Sequence, residues 1–85
     1  MDKVSKSASA RQPEAWAAVS KGLLKAELVK RGISYQQLAD RLEALGITYT
    51  TENLTNKVNR GKFSTIFLLQ CLEVIDCKVL RISDE

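Results

Sequence analysis

The chain has 85 residues, 45% of them hydrophobic and 27% charged, with one proline, no histidine and a formal net charge of +3. A chain of this length leaves room for one small domain, which buries only about 60–65% of the surface its unfolded form exposes, and the composition excludes a disordered or fibrous class. No apolar run approaches the roughly 18–20 residues of a bilayer span, and the opening MDKVSKSASARQ lacks the apolar core of a signal peptide, so the expected setting is cytoplasmic with no membrane partner.

Residues 1–12 are rich in Ser, Lys and Ala without periodicity and read as a flexible N-terminal arm. Pro13 suits the first turn of a helix, where its missing N–H is no loss. The pattern then continues to Gly32 with Lys30 and Arg31 in the last turn, which predicts a first helix over 13–31. Trp16, Val19, Leu23, Leu24, Ala26 and Leu28 form its expected core stripe, with Lys21, Lys25 and Glu27 mostly off it. Gly22 in mid-helix costs roughly 1 kcal/mol relative to alanine, so either the helix bends there or another backbone packs close.

Ser34 is placed to cap a second helix, Gln37 completes a capping box, and Ile33 can act as a hydrophobic staple. This helix is predicted over 35–45, with Leu38, Ala39, Leu42 and Leu45 inward and Gln36, Gln37, Asp40, Arg41 and Glu43 mostly off that face. Gly46 supplies a left-handed stop without a Cβ penalty, and Ile47 pins the turn to the core. Thr50 or Thr51 can cap a third helix over 52–60. Leu54 and Val58, one turn apart, must face inward, which turns Glu52, Asn56, Asn59 and Arg60 outward, with Asn53, Thr55 and Lys57 on the flanks. Gly61 ends it.

Phe63 can anchor the next loop and Ser64 caps a fourth helix over 65–75, TIFLLQCLEVI, whose polar strip is only Gln70 and Glu73. A helix apolar nearly all round is buried on every side or shared with another subunit, which raises a homodimer through Thr65–Ile82. The closing CKVLRISDE fits a short C-terminal strand or a frayed helical turn, with the strand ahead, and 83–85 form a tail. Cys71 and Cys77, without histidine or a second cysteine pair, read as reduced structural thiols rather than as a zinc framework.

Charge is distributed unevenly. Residues 1–31 hold seven Lys/Arg against three acids, residues 32–85 hold six against seven, yet 53–64 carry Lys57, Arg60 and Lys62 with no acid at all. Local positive charge of this kind suits a phosphate-facing surface. A helix entering the major groove needs short polar side chains near its start and basic ones near the backbone. Thr50, Thr51, Asn53, Asn56, Lys57, Arg60 and Lys62 supply that set, and Gln36 and Gln37 are placed to hold a phosphate beside backbone amides.

The stretch QQLADRLEALGITYTTENLTNKVNRGKFSTIFLLQCLEVI resembles the phage-repressor and Cro-like (XRE-type) helix-turn-helix domains, and most closely a small uncharacterised bacterial family with that predicted fold. The matching features are the Gln-rich start of the second helix, Leu38-Ala39 with Leu42, Gly46 with Ile47, apolar Leu54 and Val58, the Asn59-Arg60-Gly61-Lys62 exit and the leucine-rich helix after it. The resemblance covers about 23–75 and implies an all-α, four- to five-helix lambda-repressor-like domain over 13–82 with double-stranded DNA as partner. In two respects the chain departs from that pattern. Glu43-Ala44-Leu45 stand between Leu42 and the turn glycine, and the segment from Ile47 to Leu54 is longer than usual, so the second helix is expected to be about one turn longer.

Two functions from different classes follow. One is a DNA-binding transcriptional regulator that reads the groove with 52–60; the other is a protein-binding adaptor or antitoxin-like module whose apolar fourth helix grips a partner. An enzyme is not expected, since there is no histidine, glycine-rich phosphate loop, metal-ligand cluster or cofactor motif, and Asp40 and Glu43 share a helix but no cleft.

Overall fold

The computed structural model describes residues 13–82; the arm assigned to 1–12 and the tail at 83–85 lie outside the described residues. Four helices follow in order, α1 (Pro13–Arg31), α2 (Tyr35–Glu43), α3 (Thr51–Arg60) and α4 (Thr65–Val74), and no strand forms among the described residues. The architecture is all-helical, compatible with a small helix-turn-helix-like domain.

Local chemistry sets the boundaries. The Ser34 hydroxyl accepts from the Gln37 N–H at 3.1 Å while Gln37 Oε1 accepts from the Ser34 N–H at 2.8 Å, so the capping box is complete. Thr50, not Thr51, caps α3 by accepting from the Asn53 N–H at 3.0 Å, and Ser64 caps α4 by accepting from the Phe67 N–H at 3.0 Å. The regular part of α2 stops at Glu43. Bonds from Leu45 N–H to Leu42 O, Gly46 N–H to Glu43 O and Ile47 N–H to Leu42 O tighten the exit around Gly46 at φ 84°. The three residues after Leu42 are therefore absorbed in a wound-up turn and do not lengthen the helix by a turn. Leu45, expected inward, is 53% exposed as a result.

Leu24, Leu28, Leu38, Leu42, Leu54, Val58, Phe67, Cys71 and Ile75 close one core, each large aliphatic contributing about 1.5–3 kcal/mol by leaving water. The α1 face differs from the expected stripe. Ala17, Leu24, Glu27 and Leu28 are buried, whereas Trp16 is 46% exposed and Ala26 faces solvent. Sequence hydropathy follows the largest apolar side chains, but helix packing selects the line 17, 24, 28, on which small Ala17 permits close approach. Glu27 can sit beside that line because Arg31 and Lys30 both pair with it. Gly22 has open space around it and α1 runs unbroken, so no backbone packs there; the close approach is at Gly61, against the backbone of Ala17.

On α4, Ile66 and Leu69 are 70% and 59% exposed, so this helix is not buried all round. After it Asp76 adopts φ 60°, its N–H donating to Glu73 O and that of Cys77 to Leu72 O, a left-handed exit that ends the helix. The expected C-terminal strand does not form, because no neighbouring extended segment offers it a ladder. The segment runs back to α1 instead, where Cys77 Sγ lies 3.7 Å from Glu27 Oε1, and Leu80 packs on the core. Both cysteines are free and buried.

Candidate nucleic-acid interface

Helix α3 packs between α1 on one side and α2 on the other, burying Leu54 and Val58 completely. Its other face is therefore free of core duties. Glu52, Asn53, Asn56, Asn59 and Arg60 are exposed, while Thr51, Thr55 and Lys57 are half-buried flanks.

The first turns of α2 and α3 are tied together. Thr51 Oγ1 donates to Gln36 Oε1 at 2.6 Å, and Gln36 Nε2 donates to Asp40 Oδ1 at 3.1 Å. This brings the N-termini of the two helices to one end of the unit, where first-turn N–H groups lack helical partners and can meet an anion. Several side chains assigned to DNA from the sequence are thus already employed in the fold: Gln36 and Thr51 bridge the helices, while Gln37 and Thr50 complete caps. Their structural task and their location at the α2–α3 end coincide.

Lys57 occupies an unexpected setting. Its ammonium stands 5.1 Å from the Phe67 ring centroid and 6.0 Å from that of Tyr49, over an edge-to-face pair whose centroids are 5.7 Å apart. The ring quadrupoles attract the cation and hold it at the flank of α3 rather than at its crest. Arg60 and Lys62, by contrast, are exposed at the exit of α3.

Residues that the sequence reading left out also belong here. Lys25 of α1 donates to Asn59 Oδ1 at 3.3 Å, and Lys21, one turn earlier, lines a cleft of about 300 Å³ together with Arg60 and Lys62. The i, i+4 spacing of Lys21 and Lys25 puts them on one face of α1, but which helix that face meets is a long-range matter. Among the described residues no cluster of His, Cys, Asp or Glu could hold a metal ion, and no helix is long and apolar enough to cross a membrane.

Residues 16–80 match the family described as Domain of unknown function (DUF6471). The chain belongs to this family. The DUF6471 region contains all four helices except the first turn of α1, and it includes every residue of the α3 face. No curated protein and no solved structure matches the chain.

Proposed function

We propose that this protein is a DNA-binding transcriptional regulator that lays α3 in the major groove of double-stranded DNA. The observation that carries the reading is the outer face of α3, where Asn53, Asn56, Asn59 and Arg60 stand exposed on a helix whose buried side chains are Leu54 and Val58. Asparagine pairs two-pronged with adenine, so Asn53 and Asn56 carry the donor and acceptor pattern that base edges require, with Asn59 and Arg60 beside them toward the exit of the helix. The Gln36–Thr51 bond supports the reading by tying the N-terminus of α2, where a flanking phosphate can be held, to the first turn of α3. Glu52, exposed in the first turn of α3, repels phosphate and speaks for a helix without a DNA role unless it accepts from a cytosine amino group.

Duplex selection from a random pool, followed by binding titrations at several salt concentrations, tests this. The expected result is an enriched sequence and a log affinity that falls with log salt by about 0.9 per phosphate contacted. Asn56→Ala then alters the preferred sequence, while Lys62→Ala weakens binding to all sequences alike. No enrichment together with no binding at low salt sinks the reading.

A second reading, the protein-binding adaptor or antitoxin-like module, draws on Ile66 and Leu69 of α4 and on Val79 and Ile82 of the closing segment, all of them exposed. A homodimer would draw on the same exposed side chains and would address half-sites about 34 Å apart. Sedimentation of wild type and Leu69→Glu distinguishes these: a dimer lost in the variant assigns the surface to self-association, whereas a monomer in both leaves it to a different partner.

A further inference from the structure

We infer that the cleft between α1 and the exit of α3 is a second contact with nucleic acid, seating a backbone phosphate of the duplex between Lys21, Arg60 and Lys62. The inference rests on the DNA reading above and adds to it a helix, α1, that lies outside the helix-turn-helix unit.

The cleft is created by one close crossing. Gly61 sits against the backbone of Ala17, which brings the chain leaving α3 directly onto the first half of α1. Three cations from two elements some forty residues apart in sequence then line the same space of about 300 Å³. Like charges brought together repel, and a fold tolerates that most readily where an anion is to be received. None of the three ion pairs among the described residues, Lys30–Glu27, Arg31–Glu27 and Lys78–Asp76, involves Lys21, Arg60 or Lys62. The one acid lining the cleft is Glu14.

The donors suit a phosphodiester. Arginine presents a planar fork to two phosphate oxygens, and the lysines add mobile point charges. Asn59, also in the cleft wall, has its carbonyl oxygen engaged by Lys25 at 3.3 Å, which leaves its amide N–H groups for an acceptor. Location decides for a duplex phosphate. Positions 56, 59 and 60 fall on one side of α3 at 100° per residue, so a duplex read by Asn56 continues over the cleft and brings its backbone to Lys21.

Binding of a duplex to the full chain, followed by fluorescence anisotropy across a salt series, tests this with Lys21→Gln, Glu14→Gln and, as a charge-matched control on the far segment, Lys78→Gln. Lys21→Gln is expected to reduce the salt slope by about 0.9, the value of one lost phosphate contact. Lys78→Gln keeps the wild-type slope, and Glu14→Gln binds tighter than wild type at equal salt. Circular dichroism confirms that each variant is folded. If Lys21→Gln retains the wild-type slope while Asn56→Ala still changes binding, the cleft assignment is overturned and the groove reading stands. If wild type binds no duplex, both fall. Thermal stabilisation of wild type but not Lys21→Gln by inorganic phosphate, without duplex binding, equally overturns the duplex assignment in favour of a free phosphate ligand.

Discussion

Gly61 and Ala17 meet backbone to backbone: a Cβ built on Gly61 would lie 2.7 Å from the Ala17 carbonyl carbon and closer still to its oxygen, and Gly61 itself holds φ 68°. The glycine that closes α3 is thus also the point where α1 crosses it. Two requirements, a left-handed backbone and the absence of a side chain, fall on one residue.

Gly61→Ala should therefore destabilise the fold by at least about 3 kcal/mol, combining overpacking against rigid backbone with the left-handed penalty. Gly22→Ala, in open space within α1, should do the opposite and stabilise by up to about 1 kcal/mol. Urea unfolding of the two variants beside wild type gives both signs in one experiment; equal effects of the two substitutions would refute the crossing.

Lys57 should show a dual behaviour. Its place over Phe67 and Tyr49 predicts that Lys57→Ala lowers stability by about 0.5–1 kcal/mol in addition to any loss of DNA affinity. Lys57→Arg, which keeps both charge and ring contact, should retain the stability. Thermal melts without DNA separate the two roles, since an arm that only touches phosphate leaves the melt unchanged.

Glu27 is buried between Arg31 and Lys30, and the Arg31 guanidinium hydrogen-bonded to it holds its carboxyl below the usual glutamate range, against an upward push from burial. A carboxyl depressed in the folded state contributes stability above its unfolded pKa and loses it as pH falls through the folded value. The melting temperature of wild type should accordingly exceed that of Glu27→Gln at neutral pH, and the gap should close below about pH 4. A gap that persists unchanged at pH 3 would show that packing, not charge, is what Glu27 supplies.

Cys71 is fully buried, and burial pushes its thiol up to about 12, with Lys57 opposing only weakly. At pH 8 only about one in ten thousand of such thiols is ionised. Titration with a thiol reagent should leave Cys71 unmodified in the native protein, with modification following the unfolding transition as urea is raised. Rapid labelling of Cys71 in native buffer would contradict its burial.

The sequence by itself determined where the helices begin, to within the choice between Thr50 and Thr51, and which glycines follow the first three, but not the left-handed exit of α4 at Asp76. Ser34, Thr50 and Ser64 cap through bonds to residues three positions on, and Gly46 and Gly61 end helices through their own φ angles, so these features close within a few residues and need no partner. The polar outer face of α3 was legible for the same reason, since two large apolar residues fixed which side is inward. Only the tertiary structure decided what depends on contact between distant segments. Packing chose Ala17, Leu24 and Leu28 over Trp16 and Val19 as the core line of α1, covered Glu27 with the segment around Cys77, and left Leu45, Ile66 and Leu69 outside. It placed Lys57 over two rings and Lys21 in one cleft with Arg60. Helical periodicity gives the angle between residues on one helix, whereas the rotation of that helix against its neighbours is set by which side chains, and which missing Cβ, let the backbones approach.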